Sequence, residues 1–155
     1  MKRAAIFLGL LMFMVGNAFS FDVELAKKFN AMFSQMTPEV IKQRPCEVDG
    51  KKLFEMIKNK EEFVFLDIRT PDEMAITGIT WKNTLRIPMN ELFKEDSLKK
   101  LPKDRKILVV CHTGTRAAAA TMALRAVGFT NAFMYKGGLA ELARDVGRNV
   151  IGEAF

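Results

Sequence analysis

Cys111 is the residue of this sequence that is best placed to do chemistry. It follows the apolar run 107–110 and begins the segment 111–116, Cys-His-Thr-Gly-Thr-Arg, which leads into an alanine-rich stretch. These patterns predict a buried strand, a tight loop and a helix in direct succession. Ligands of open α/β sheets bind outside the carboxyl ends of the strands. We therefore expect Cys111 to lie in a binding loop.

The residues that follow Cys111 are suited to binding an anion. Gly114 permits the positive φ of a tight loop, and backbone N–H groups that end at a helix N-terminus form a concave anion site. We expect Thr115 to cap the helix and Arg116 to add a fixed cation. Such groups stabilise a thiolate or a persulfide anion and can bind an oxyanion substrate. The alternative is a buried cysteine that acts as a small apolar side chain.

Other polar residues are candidates for weaker roles. Asp67 and Arg69 follow a second apolar run, and a carboxylate at a strand end can bond loop amides or pair with an arginine. We interpret both as structural support. His112 directly follows Cys111, and since consecutive side chains of a tight loop diverge, we expect it at the edge of the substrate site rather than as a base. Cys46 is expected to be packed or inert, although a regulatory disulfide with Cys111 stays open.

The cysteine and histidine counts argue against two classes of protein. Two cysteines cannot form a disulfide framework. One histidine and two distant cysteines do not form a metal-ligand cluster. We therefore expect neither a metal nor another cofactor.

Strand and helix patterns alternate along the chain. The predicted strands are 63–66, 85–87, 107–110 and 132–135, and the predicted helices are 51–60, 71–75, 116–127 and one marked by apolar residues between 139 and 146. Asn90 and Asp96 can cap short helical turns, and Gly128 can end the 116–127 helix. Strands separated by helices indicate an α/β fold with a central, mainly parallel sheet flanked by helices.

Residues 1–20 are typical of a secretory signal peptide. Two basic residues precede the apolar stretch 4–15, and Ala18 and Ser20 occupy the positions that a signal peptidase reads. We therefore expect an exported, periplasmic protein with no stable membrane insertion after cleavage. A buried N-terminal helix and an uncleaved membrane anchor are the alternatives.

Residues 21–45 are interpreted as a helical extension that precedes a domain at 46–150. Asp22 can cap an amphipathic helix, and Thr37 with Pro38 can start a second one. The apolar face of the first helix, which we expect to pack on the domain, comprises Leu25, Phe29, Met32, Phe33 and Met36.

Net charge gives little indication of a macromolecular partner. Removing Lys2 and Arg3 from the 24 basic residues leaves 22 against 18 acidic ones, and the excess is spread along the chain. Basic and aromatic residues are not interleaved as in proteins that bind nucleic acid. We expect small anions, not nucleic acid, as binding partners.

Four segments, in order, resemble motifs of the rhodanese family. Residues 66–73 are similar to its L-D-x-R-T-P-x-E signature, Ile87-Pro88 with Leu92 to I-P-x-x-x-L, 111–116 to its C-x-x-G-x-R active-site loop, and 133–138 to a late strand with a double glycine. The resemblance covers about residues 46 to 147 and implies the three-layer fold of that family. Residues 77–83 depart from its G-H-I-x-G-A pattern, which bears on the geometry of that loop. Trp81 in this stretch either packs or shields a pocket.

The resemblance implies a sulfurtransferase that works by double displacement. In the family, the loop cysteine takes a sulfane sulfur from a small anion such as thiosulfate or polysulfide. It then passes this sulfur to a thiol or cyanide-like acceptor, a protein thiol included. Carried over here, Cys111 is the nucleophile and persulfide carrier. The substrate-binding loop then comprises His112, Thr113, Gly114, Thr115 and Arg116.

Two other functions remain as alternatives to turnover. Related phosphatases have the longer spacing C-x5-R, whereas Arg116 is five positions after Cys111, so the loop length disfavours a phosphatase or an arsenate reductase. A non-catalytic sulfur carrier or interaction module of the same fold would use the same loop.

Overall fold

A wholly parallel sheet of five strands forms the centre of the computed structural model, which describes residues 21–149. The strands are β1 (Glu47–Val48), β2 (Phe63–Asp67), β3 (Thr84–Arg86), β4 (Lys106–Val110) and β5 (Ala132–Tyr135), in the spatial order β1-β5-β4-β2-β3. The helices are α1 (Val23–Phe33), α2 (Pro38–Lys42), α3 (Gly50–Lys58), α4 (Pro71–Ile76), α5 (Glu95–Leu98), α6 (Thr115–Ala126) and α7 (Gly138–Asn149). The predicted α/β fold is confirmed.

Helices cover both faces of the sheet, because alternate residues of the central strands point to opposite sides. One apolar core joins Leu66 and Val109 to Ala120 and other residues of α6. The second core, on the other face, joins Phe65 of β2 to Leu53 of α3 and to α7. The predicted three layers are therefore present.

The four predicted strands are confirmed, and β1 was missed. β1 has only two residues, too few to show the period of a strand, and it pairs with the edge of β5. Gly128 ends α6 with a φ of 105°, as predicted. The capping role predicted for Asp96 is wrong, because α5 begins at Glu95 after Lys94 and has no side-chain cap.

The helical extension forms α1 and α2, and both predicted caps are confirmed. Asp22 accepts from the Leu25 amide at 2.9 Å, and Thr37 accepts from the Val40 amide at 3.4 Å. The apolar face of α1 packs on the domain only in part, since Phe33 is 51% exposed and no residue of α1 is buried. The main contact of α1 with the domain is with α6.

The predicted signal peptide, residues 1–20, and the last predicted residue of the domain, 150, lie outside the described residues. The division into residues 1–20, 21–45 and 46–150 stays a prediction. Between residues 21 and 149, no helix has the length and apolarity that a membrane crossing needs.

A buried ion pair joins the end of β2 to α4. Asp67 is 0% exposed and Arg69 1%, and the guanidinium donates to both carboxylate oxygens, with distances of 2.9 Å from Nε to Oδ1 and 2.7 Å from Nη2 to Oδ2. The same guanidinium donates to the carbonyl oxygens of Glu73 at 3.2 Å and Thr77 at 2.7 Å. Arg69 thereby binds the C-terminal end of α4, where the Glu73 carbonyl oxygen also accepts from the Thr77 amide at 3.3 Å.

We predict that Arg69→Ala lowers the free energy of unfolding by about 3–5 kcal/mol, because it leaves Asp67 as an unpaired buried charge. Arg105→Ala is the matched control: Arg105 is 35% exposed and pairs with Asp104 and Glu62 at the surface, so its loss should cost about 1 kcal/mol or less. Urea denaturation of both variants measures the difference. Equal losses would show that burial does not decide the contribution of the Asp67–Arg69 pair.

Candidate active site

The loop after β4 curls around the sulfur of Cys111. Cys111 is 1% exposed, and its Sγ accepts hydrogen bonds from the backbone amides of Gly114 at 3.1 Å and Ala117 at 3.4 Å. Gly114 has a φ of 96°, in the region that favours glycine, at the turn from the loop into α6. The loop lies at the carboxyl end of the sheet, as predicted. Two backbone amides therefore point at one sulfur.

The N-terminus of α6 differs in two details from the prediction. Thr115 is the first helical residue and not the cap; Gly114 takes the cap position and has no side chain to offer. The amides of the first turn therefore keep their hydrogens for the loop, and one of them is that of Ala117. Sequence reasoning missed Ala117, although the second residue of the predicted helix 116–127 also has an amide without an intrahelical partner.

Other members of the predicted loop lie at its rim. His112, Thr113 and Thr115 are exposed, whereas Gly114 is buried. The exposure of His112 is in keeping with the edge position expected for it. Residues 111–114 thus form the loop, with Cys111 at its base, and Thr115 and Arg116 begin α6.

Helix α7 holds the loop from outside. The amides of Leu139 and Ala140, in the first turn of α7, donate to the carbonyl oxygens of Cys111 at 2.8 Å and His112 at 3.1 Å. A Cβ on Gly138 would lie 2.4 Å from the Cys111 carbonyl oxygen and 2.7 Å from the Gly114 amide nitrogen. Only glycine leaves room for this approach. The double glycine was noticed in the sequence, but its contact with the cysteine loop was not foreseen.

Arg116 is fixed by a carboxylate from α4. Its Nη1 donates to Glu73 Oε2 at 2.8 Å and its Nη2 to Glu73 Oε1 at 2.6 Å. The hydrogen bond from Arg116, followed by that from the Thr70 amide, lowers the pKa of Glu73 to about 2, and the bond to Glu73 raises the pKa of Arg116. The sequence analysis treated Arg116 as a cation for a substrate, whereas its charge is compensated within the protein.

Glu73 has a second partner that keeps it in place. Its Oε2 accepts from the Thr70 amide at 2.9 Å, while the Thr70 hydroxyl accepts from the Glu73 amide, so the two residues form a capping box at the start of α4. Glu73 belonged to a recognised sequence motif, but the sequence contained no signal for its contact with Arg116, 43 positions away.

The two cysteines are free and lie far apart. The strand register places Cys46 level with Phe133 of β5, which is level with Leu108 of β4. Cys46 is therefore two strand spacings from Leu108, and Leu108 precedes Cys111 by three residues along the chain. With strands about 4.8 Å apart and about 3.3 Å per residue, their Cα atoms are roughly 14 Å apart, well beyond the ~7 Å that a disulfide spans. The regulatory disulfide considered from the sequence does not fit the folded domain.

Trp81 lies away from the cysteine loop. Its ring stacks on Phe63 with centroids 4.9 Å apart. It also lines an apolar cavity of about 240 Å³ between α3 and α7, and none of the residues around this cavity belongs to 111–116. Trp81 therefore packs in the fold and does not shield Cys111.

Across residues 21–149, no three His, Cys, Asp or Glu side chains are grouped as metal ligands would be.

Comparison with known proteins identifies the family. The sequence model described as "Rhodanese-like domain" matches residues 50–145. A sulfurtransferase of Allochromatium vinosum is 30% identical over 98 residues, which are 63% of this chain and 88% of that protein. A rhodanese-related protein of Thermoplasma volcanium is 30% identical, with a TM-score of 0.53 over 66% of this chain and 92% of that one.

The human single-domain sulfurtransferase TSTD1 has the same fold. It superposes with a TM-score of 0.53 and 24% identity over 64% of this chain and 96% of its own. The fold, the cysteine loop and the sequence matches agree: the chain belongs to the rhodanese-like family of sulfurtransferases.

Proposed function

We propose that this protein is an exported sulfurtransferase that moves a sulfane sulfur through a persulfide on Cys111. The donor is a small anion such as thiosulfate or a polysulfide, and the acceptor is a thiol or cyanide-like nucleophile. The observation that carries the proposal is the pair of amides, those of Gly114 and Ala117, directed at the Cys111 sulfur. Hydrogen bonds from amides stabilise a sulfur anion in both the resting thiolate and the persulfide.

The two half-reactions balance without a cofactor. The Cys111 thiolate attacks the outer sulfur of thiosulfate, an S–S bond forms to Cys111, the S–S bond of thiosulfate breaks, and sulfite leaves. An acceptor thiolate then attacks the terminal sulfur of the persulfide, takes that sulfur as its own persulfide, and releases the Cys111 thiolate. The loop amides also donate hydrogen bonds to the oxygens of thiosulfate, and residues His112 to Arg116 surround this substrate.

Export is the second part of the proposal. It rests on residues 1–20, in which a basic start, an apolar stretch and small residues at Ala18 and Ser20 succeed one another. The periplasm is the compartment that we propose. N-terminal sequencing of the protein from a periplasmic fraction should find a chain that begins at about residue 21; a chain that retains residues 1–20 would instead favour an anchor.

A non-catalytic sulfur carrier of the same fold is the second candidate. The same two amides would hold a persulfide on Cys111 whether or not the protein turns over. Release of the sulfur to cyanide or to a thiol distinguishes an enzyme from a store, because an enzyme must return to the thiolate on every cycle.

We predict that purified protein gains the mass of one sulfur atom after incubation with thiosulfate or polysulfide and loses it on addition of cyanide. Cys111→Ala should gain none, and Cys46→Ala, the control, should behave as wild type because Cys46 lies outside the loop. Mass spectrometry of the intact protein measures all three. If wild-type protein takes sulfur from neither donor, the sulfurtransferase proposal is wrong.

We predict that Gly138→Ala slows alkylation of Cys111 by iodoacetamide at pH 7 at least about tenfold, because the new Cβ displaces the loop whose amides stabilise the thiolate. Gly128→Ala is a matched control: it too has a positive φ, of 105°, but its Cβ would meet no atom within 4 Å. Both variants carry the backbone strain of a side chain at positive φ, and Gly138→Ala alone adds a clash with the loop backbone. Alkylation that slows equally in both would contradict a specific role for the contact between Gly138 and the loop.

A further inference from the structure

We propose that Glu73 is a specificity-determining residue that adapts the site to sulfane donors with a single negative charge. The inference rests on the proposed function, because it concerns the donor that reacts with Cys111. Glu73 has no contact with the sulfur of Cys111 among the contacts of the described residues; its effect passes through Arg116.

The positive charge that the cysteine loop offers to a sulfur donor is that of Arg116. Within residues 111–116, Arg116 is the one residue with a permanent positive charge. Both terminal nitrogens of its guanidinium donate to the Glu73 carboxylate, at 2.8 and 2.6 Å. A paired guanidinium attracts an incoming anion less than a bare one, since the carboxylate repels that anion from nearly the same distance.

Glu73 stays charged and stays in position. The capping box with Thr70 holds its carboxylate at the start of α4, and Arg69 binds the carbonyl oxygen of Glu73 and that of Thr77. Its pKa of about 2 leaves it ionised through the neutral and mildly acidic range. The compensation of Arg116 is therefore permanent under working conditions.

A sulfur donor meets the summed charge of Arg116, Glu73 and the attacking Cys111 sulfur. Arg116 and Glu73 cancel, and the Cys111 thiolate leaves the site with one negative charge. The loop amides are neutral dipoles that can bind the oxygens of a donor whatever its total charge. A second charge on the donor thus gains little from the site and is repelled by the thiolate. Thiosulfonates and similar monoanions fit these conditions better than the thiosulfate dianion.

Two donors that differ by one charge test the inference. Methanethiosulfonate has the sulfane sulfur and two of the oxygens of thiosulfate, with a methyl group in place of the third oxygen. In each case the thiolate attacks the outer sulfur, an S–S bond forms to Cys111, and the S–S bond of the donor breaks. Sulfite leaves from thiosulfate and methanesulfinate from the thiosulfonate. The measured quantity is the rate constant for persulfide formation with thiosulfate divided by that with methanethiosulfonate.

Glu73→Gln should raise this ratio about tenfold relative to wild type at low ionic strength, because Arg116 then attracts the second charge of thiosulfate. Glutamine can still complete a capping box, so α4 should keep its start. The increase should shrink as salt is added, since exposed charges are screened. Differences in intrinsic reactivity between the donors cancel because each variant is compared with wild type through the same ratio.

Two further variants separate charge from position. Glu73→Asp keeps the charge and shortens the side chain, so its ratio should remain within about twofold of wild type even if both rates fall. Glu61→Gln removes a carboxylate that pairs with Lys106 at 2.6 Å outside the loop, and its ratio should equal that of wild type.

The outcomes distinguish this inference from the proposed function. If wild-type protein forms a persulfide but the ratio is the same in Glu73→Gln, the specificity role of Glu73 is wrong and the sulfurtransferase proposal stands. An equal rise in Glu61→Gln, or a rise in Glu73→Asp as large as in Glu73→Gln, also overturns it. If neither donor loads Cys111 in wild type, both proposals fail.

Discussion

The buried pair of Asp67 and Arg69 is the interaction on which the site depends. A guanidinium that is 1% exposed needs acceptors for its donors. Here the acceptors include a carboxylate at the end of β2, the carbonyl oxygen of Glu73 in α4 and that of Thr77 directly after α4. The pair therefore sets where α4 lies relative to the sheet. Because α4 carries Glu73, the same pair decides where the carboxylate for Arg116 lies. A buried charge at the end of β2, in register with Val110 of β4, is thus linked to the neighbouring cysteine loop.

The cysteine loop has hydrogen-bonding groups on two sides, and each side has its own partners. Its carbonyl oxygens at Cys111 and His112 point outward and bond amides of α7. Its amides at Gly114 and Ala117 point inward to the sulfur. A tight loop cannot satisfy both sets within itself, so the N-terminus of a second helix is needed. Close approach of that helix in turn requires glycine at position 138.

Compensation of Arg116 by Glu73 changes the character of the site. A loop that contains an unpaired arginine attracts anions mainly through charge, and this attraction grows with the charge of the ligand. A loop in which the arginine is paired attracts them mainly through directed amide hydrogen bonds, which depend on shape. The salt bridge is about one third exposed on each side, so salt and solvent weaken it but do not remove the carboxylate from the neighbourhood of the loop.

Local sequence patterns predicted most strands, most helices and the cysteine loop, because each of these is encoded by residues close together in the chain. The apolar runs predicted β2 and β4, and the succession of strand, loop and helix placed Cys111 at the edge of the sheet. The sequence did not predict β1, which has only two residues, or the cap of α6, which is a glycine rather than Thr115.

Contacts between distant segments were decided only by the tertiary structure. Glu73 meets Arg116 across 43 positions, and α7 meets the cysteine loop across a whole strand and helix. Nothing in the local sequence around Arg116 shows whether its charge is free or compensated, since that depends on where α4 packs. The sequence by itself thus predicted which residue reacts, and the packing of α4 and α7 decided the charge and shape that surround it.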